Sequence, residues 1–289
     1  MKDKILVLGG KGKTGRKVVQ RLINLHYDVR VGSRNENPAF DWGNRSTWPA
    51  ALSGIDKCYV TFQPDLAVPG ALEAIEDLVR VARRAGIKKM VLLSGKGERE
   101  AELCEQVLIH SGIRNTIVRA SWFSQNFSES FFLEPIISGH VSLPQADAKV
   151  PYVDTDDIAD VVVTALSDDI HDGKIYELTG PHLLTFKDVF AEISAATGRE
   201  IKFTPISLSA YSKMMEDQGV PPDYIWLINY LFTEVIAEKR NAVVTDDIER
   251  VLGRKPKDFS QYVREAAASG AWNLRTESET IPANPSFKI

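Results

Sequence analysis

Cysteine is scarce in this chain of 289 residues, with only Cys58 and Cys104 present. Two thiols build no disulfide framework, and the role expected of both is that of small buried hydrophobes. There is no excess of positive charge either. Lys and Arg number 35 against 39 Asp and Glu, a formal net charge of −4 that excludes a global basic field for nucleic acid or an anionic membrane. No apolar run reaches the length of a membrane span. The histidines His26, His110, His140, His171 and His182 show neither His-x-x-x-His nor His/Cys pairing, so no metal site is expected. The chain enters an apolar strand directly, with no signal-peptide region before it, and a cytoplasmic location is the expectation.

What is present starts with Lys4-Ile5-Leu6-Val7-Leu8-Gly9-Gly10-Lys11-Gly12-Lys13-Thr14-Gly15-Arg16-Lys17-Val18-Val19. The run Ile5 to Leu8 reads as a strand buried on both faces of a parallel sheet. Val18, Val19, Leu22, Ile23 and Leu25 then recur at helical spacing. Between them stand Gly9, Gly12 and Gly15. In such a strand–turn–helix, one glycine permits the tight turn, a second lets backbone approach a pyrophosphate, and a third lets helix and strand pack closely. The helix N-terminus presents N–H groups and a positive dipole to the anion. Nucleotide binding is therefore expected, with Gly9, Lys11, Gly12, Lys13, Thr14 and Gly15 as its first contacts. A Walker-type loop is excluded because it needs a glycine where Val7 stands.

Asp28 to Gly32 alternates and predicts a second strand, ending in Ser33-Arg34. A site for NAD(H) usually carries Asp or Glu there to accept from the ribose 2′-hydroxyl. A hydroxyl and a guanidinium suit a 2′-phosphate instead, so NADP(H) is preferred, with NAD(H) as the alternative. The plain alternative for Arg34 is a solvated loop charge. Phe40-Asp41-Trp42 predicts a short third strand where an adenine ring would rest, with Asp41 a candidate contact. Residues 57–62 predict a fourth strand. It leads into Thr61, Phe62 and Gln63 on the expected dinucleotide path, Phe62 serving equally well as core. A helix is predicted from Pro69 to Ala85, a fifth strand over 89–93, a helix over 99–111 and a strand over 115–119. Ser94 and Lys96, at the end of the fifth strand, either touch cofactor ribose and substrate or form an ordinary polar loop.

Further along, 139–144 predicts a short extended pair. Asp154-Thr155-Asp156-Asp157 predicts the cap of a helix over 158–166, with the acids there for the helix dipole rather than for catalysis. A strand is predicted near 174–179, helices from 185, 208, 223 and 246, and an apolar lobe core over 224–232. Trp226, Tyr230 and Phe232 stand in that core and are candidates to roof a flat substrate or to make a dimer contact.

The Gly9/Gly12/Gly15 spacing, Ser94-Gly95, Ser111-Gly112, and Val118-Arg119-Ala120-Ser121-Trp122-Phe123-Ser124-Gln125-Asn126 together resemble the NmrA-like branch of the atypical short-chain dehydrogenases/reductases. Tyr152 to Ala159 and Tyr176 to Pro181 extend the resemblance, which covers about residues 4 to 270. Within the branch the chain is similar to proteins related to quinone reductases and festuclavine dehydrogenases. The resemblance implies NADP(H) in the first domain and substrate under a smaller C-terminal lobe. It also exposes a departure. The Tyr-x-x-x-Lys of ordinary short-chain dehydrogenases is missing: no lysine stands four residues after Tyr59, Tyr152, Tyr176, Tyr211, Tyr224 or Tyr262. Residues 99–111, where the pair should sit, contain neither residue type. Ala101 and Glu102 occupy the positions where some NmrA-like reductases keep a lysine. The proton donor is thus unassigned, and Ser94, Lys96, Trp122, Phe123 and Gln125 are the pocket candidates.

These features predict an α/β protein: a Rossmann-type doubly wound parallel sheet over 1–134, joined by the strand near 174–179, with a smaller, mostly helical lobe over 135–273 and a polar tail over 274–289. The expected function is an NADP(H)-dependent reductase acting on a small hydrophobic or aromatic quinone, enone or iminium. The alternative is a non-catalytic NADP(H) sensor acting through a regulatory protein partner. A homodimer is a further partner expectation; nucleic acid and membrane are not expected.

Overall fold

A computed structural model of the protein describes residues 2–274. Beyond Leu274, the expected polar tail lies outside the described residues. The strands are β1 (Lys4–Leu8), β2 (Asp28–Gly32), β3 (Lys57–Val60), β4 (Lys89–Gly95), β5 (Arg114–Ala120), β6 (His140–Leu143), β7 (Lys174–Leu178) and β8 (Lys202–Pro205). The helices are α1 (Gly15–Asn24), α2 (Trp48–Leu52), α3 (Ala71–Ala85), α4 (Arg99–Ile109), α5 (Asn126–Glu129), α6 (Leu133–Ser138), α7 (Thr155–Ser167), α8 (Phe186–Thr197), α9 (Leu208–Asp217), α10 (Pro222–Tyr230), α11 (Asp247–Leu252) and α12 (Phe259–Ala268). Two compact units form, the first from 2–120, 155–178 and 245–255, the second from 121–154, 179–244 and 256–274.

The first unit is a six-stranded sheet in the order β2-β1-β3-β4-β5-β7, every neighbouring pair parallel. It is a doubly wound sheet flanked by helices. The apolar runs explain it: Ile5 to Leu8 and Cys58 to Val60 are buried, as strands covered on both faces must be. Parallel neighbours need crossovers, which α1, α3 and α4 supply. α3 turns Ala71, Ala74, Ile75, Leu78, Val79 and Ala82 into the core at helical spacing. At the amino edge, two buried lysines find backbone partners. Lys57 Nζ donates to Leu166 O at 2.8 Å, and Lys89 Nζ donates to Asp168 O at 2.8 Å while lying 2.6 Å from Asp172.

The acids at the start of α7 serve packing in this unit. Asp156 pairs with Lys17 and Arg21, each at 2.9 Å, and Asp157 pairs with Arg254 at 2.6 Å. The Asp156 pairs tie α7 to α1, the Asp157 pair ties it to the segment after α11, and β7 docks on β5, so residues 155–178 join the sheet unit rather than the lobe.

The second unit is mostly helical around an aromatic core of Phe127, Phe132, Tyr152, Phe186, Phe190 and Phe259. Phe127 stacks on Phe132 with centroids 5.2 Å apart, and Trp272 Nε1 donates to Phe127 O at 2.8 Å. Because Phe127 and Phe132 are central to this core, residues 121–134 belong here and not to the first domain, where the sequence placed them.

Three local predictions are corrected. Phe40-Asp41-Trp42 is no strand: Asp41 makes one isolated bridge to Asn44, and Phe40 stacks on Trp48 at 5.6 Å. Burying those rings against α2 bends the segment out of a strand. Residues 139–144 do not pair with themselves; β6 pairs in parallel with β8. The helix predicted from 223 stops as an α-helix at Tyr230 and widens to a π-helix over Leu231–Ile236, with Ala237 N bonded to Phe232 O. The wider turn directs Phe232, Val235 and Ile236 all inward, while Trp226, 44% exposed, stacks outside on Tyr230. No described helix is long and apolar enough to cross a membrane.

Candidate functional site

In open parallel sheets, ligands bind beyond the carboxyl ends of the strands. At that edge β1 gives way to a loop built on backbone contact. Gly9 takes φ +66° and donates to Gly32 O at 3.1 Å, Gly12 N donates to Gly9 O at 2.8 Å, and Arg16 N donates to Gly12 O at 3.1 Å. A Cβ on Gly15 would stand 2.1 Å from Gly9 O, so α1 can start this close to the turn only with glycine there. The cradle leaves the first N–H groups of α1 without a side-chain cap. That is the chemistry a pyrophosphate requires.

Around the cradle the predicted contacts divide by what already holds them. Thr14 is buried and accepts from Tyr59 Oη of β3 at 3.0 Å. Burial pushes the Tyr59 phenol well above its ordinary range, so it stays a neutral donor. Thr61 Oγ1 donates to Leu8 O at 3.2 Å, and Thr61 O accepts from Trp42 Nε1 at 3.1 Å. Phe62 rests on Trp42 with centroids 4.7 Å apart, Gln63 is exposed beyond it, and Lys13 is half-buried in the loop. Asp41 scaffolds its own loop, its carboxylate accepting from Gly43 N at 2.9 Å and its carbonyl from Trp48 Nε1 at 2.7 Å.

After β2, Ser33 Oγ is buried and has no hydrogen-bond partner, while Arg34 is exposed and has no carboxylate partner among the described residues. Lys11 lies 2.6 Å from Glu36 of the same turn. A buried hydroxyl without a partner is unusual, and this one sits beside a free guanidinium where a dinucleotide ribose is expected. The residues present fit a dinucleotide.

At the ends of β4 and β5 the structure assembles a network that sequence spacing does not announce. Ser94 Oγ donates to Glu105 Oε1 at 2.6 Å, and Arg119 clasps the fully buried Glu105 through Nε at 2.9 Å and Nη2 at 2.6 Å. Arg119 Nη1 reaches Glu177 of β7 at 3.5 Å, and Lys96 Nζ lies 3.8 Å from the same carboxylate. The hydroxyl of Ser94 is therefore committed to a carboxylate rather than offered to a ligand. Beside this network, Asp65 and Glu98 hydrogen-bond to each other, and burial and then the Asp65 charge push Glu98 well above the usual carboxylate range. The only sequence signal for these groups is a charged residue inside a strand, Arg119, and inside buried turns, Asp65 and Glu98.

The remaining pocket candidates lie in the second unit. Trp122 packs on Phe132 at 6.2 Å and Phe232 at 5.7 Å, Phe123 bridges to Val153, and buried Gln125 donates from Nε2 to Asp154 Oδ2 at 3.0 Å.

The sequence matches the model of the NmrA-like family over residues 1–263. It is 30% identical over 290 residues to the NAD(P)H azoreductase of Xenophilus azovorans, covering 92% of this chain and 99% of that protein. It is 30% identical over 296 residues to the agroclavine dehydrogenase of Claviceps fusiformis, covering 94% and 99%. Among solved structures, the fold matches an NADPH-dependent quinone oxidoreductase of Escherichia coli in complex with NADPH, with a TM-score of 0.76 at 20% identity and coverage of 90% and 99%.

Proposed function

Since the chain belongs to the NmrA-like family, we propose that it is an NADP(H)-dependent reductase delivering hydride to a conjugated acceptor: a quinone, enone or iminium. The observation that carries this reading is the glycine cradle beside the unpartnered Ser33 hydroxyl and Arg34. The azoreductase, agroclavine dehydrogenase and quinone oxidoreductase similarities support a flat, electron-poor acceptor.

The bound dinucleotide supplies the hydride. The protein's share is binding and orientation. Gly9 and Gly12 let the pyrophosphate approach the backbone at the start of α1. Ser33 and Arg34 would hold the 2′-phosphate, with Lys11 of the glycine turn as a further cation for it. NAD(H), lacking that phosphate, binds the same cradle less tightly. Thr61, Phe62 and Gln63 follow the path toward the ends of β3 and β4. There the Arg119–Glu105 clasp fixes Ser94 and orders the turn carrying Lys96. Holding a hydride donor and a conjugated acceptor in register supplies most of the rate enhancement for such a transfer.

Tryptophan-fluorescence titration with NADPH, followed by turnover on a panel of quinones, enones and iminium compounds, tests the reading. Saturable binding with turnover of at least one acceptor is expected, and binding without turnover of any overturns it. The missing Tyr-x-x-x-Lys leaves one competing reading, an NADP(H) sensor. A protein partner captured with NADP-loaded but not NADPH-loaded protein, together with absent turnover, identifies that case.

A further inference from the structure

Reduction of a quinone or enone consumes a proton as well as a hydride, and neither Ser94 nor a Tyr-x-x-x-Lys is at hand to provide it. We propose that Asp65 and Glu98, hydrogen-bonded at the carboxyl edge of β3 and β4, hold and release that proton; the role rests on the reductase reading above.

Two carboxyl groups can hydrogen-bond to each other only when one is protonated, because an ionised carboxylate only accepts. Asp65 follows β3 in the loop just past Thr61, Phe62 and Gln63. One of its oxygens accepts from Ala67 N at 2.8 Å, which leaves its other lone pairs for Glu98. Glu98 stands immediately before α4, the helix where the missing tyrosine and lysine would have been sought. It is buried, and its carboxyl lies against Gly95 so closely that a Cβ there would sit 1.9 Å from Oε1. Gly95 thus admits the carboxyl group to the end of β4.

The other ionisable groups facing the pair deepen the effect. Glu100 and Glu105 of α4 add negative charge toward Glu98, and Cys104 of α4 is a neutral thiol pushed up to about 12 by burial. Glu105 is itself engaged by Arg119 of β5 and Ser94 of β4, and Lys96 reaches toward Glu177. No cation pairs directly with Asp65 or Glu98 among the described residues. Burial and the adjacent carboxyls therefore favour the protonated form of the pair.

The step balances with a reduced nicotinamide as the two-electron donor. A hydride leaves it and forms the new bond to the acceptor. The proton leaves the pair by breaking a carboxyl O–H bond and forms an O–H bond on the developing acceptor anion. Asp65, less buried over the whole residue than Glu98, takes the proton that Glu98 donates to it and hands it on. The pair is left as two adjacent carboxylates, whose repulsion draws one proton back from water.

Glu98→Gln is the direct test, since the amide still donates a hydrogen bond to Asp65 but carries no transferable proton. NADPH affinity by fluorescence should remain within about twofold of the parent. The kcat for a quinone should fall about 100-fold with little change in KM. The decline of kcat at alkaline pH should disappear, Glu98→Asp should restore part of the rate, and an iminium acceptor, which needs no proton, should lose far less. Infrared titration of the cofactor-free protein gives a readout independent of turnover: the C=O stretch of a protonated carboxyl should persist at pH 7 in the parent and in Asp65→Asn, where burial still favours the Glu98 proton, and vanish in Glu98→Gln. Its absence from the parent protein, or superimposable quinone pH profiles for parent and Glu98→Gln, overturns the proposal. Failure of the parent to bind NADPH or turn over any acceptor overturns the reductase reading instead, while the infrared band still decides whether the pair holds a proton. If a variant does not fold, the titration of the parent decides.

Discussion

Arg34 and Gly15 carry opposite kinds of commitment. Arg34 is exposed and makes no ion pair among the described residues, so its removal should leave the fold unchanged and act on the ligand alone. Arg34→Ala is expected to weaken NADPH by about 1–3 kcal/mol, the range for hydrogen bonds to charged groups, while barely changing NADH. Parallel titrations check this, and equal losses for both cofactors rule out a 2′-phosphate contact. Gly15→Ala presses a Cβ against the Gly9 carbonyl, an overlap that only movement of the loop relieves. About 1–3 kcal/mol of stability should be lost to overpacking, along with NADPH affinity, read by urea unfolding and by titration. The placements of both residues in the fold were legible in the sequence because each is fixed by local spacing: a glycine three residues after another, a guanidinium just past a strand. Asp65 and Glu98 were not, because their meaning lies in a partner far along the chain, and no periodicity encodes such a pairing.

At the level of elements, the strands of the sheet were legible wherever an apolar run ended in a turn, and β1, β3 and β4 fall where their residues predict. Elements set by side-chain packing were not. Phe40 and Trp42 read as strand residues by propensity, yet their rings are drawn onto Trp48. The apolar segment after Tyr224 gives no warning of where α-helix gives way to π-helix, since both keep its hydrophobic residues inside. The join between α4 and β5 is of the same kind. Its strength lies in one clasp: Arg119 holds Glu105, whose carboxylate has no contact with water. Arg119→Met strands that charge in the core and should cost about 3–5 kcal/mol, whereas Arg119→Met combined with Glu105→Leu should recover most of the loss. Denaturant midpoints of the two single variants and the double variant measure the coupling. A double variant as unstable as Arg119→Met alone assigns the loss to something other than the stranded charge.

For the whole molecule, pH acts on stability through carboxyls shifted in opposite directions. Asp56, Asp169 and Asp188 are held below the ordinary carboxylate range by hydrogen bonds from Lys88, Arg114 and Thr185 respectively. Their contribution is present above the ordinary Asp value and is lost as pH falls through their lowered values. All three sit at the surface, where solvent and salt screen the effect. Glu98 runs the other way. Its raised value means that its stabilisation is complete below the unfolded-state value of about 4.3 and is lost as pH rises through the folded value. The folded protein binds a proton here that the unfolded chain has already released, so stability must fall with pH across that window. Glu98→Gln removes that slope while leaving the three surface aspartates in place. Its unfolding midpoint in urea, measured relative to the parent at pH 5, 6, 7 and 8, should rise steadily, and parallel curves across that range would show that Glu98 is ionised in the native state.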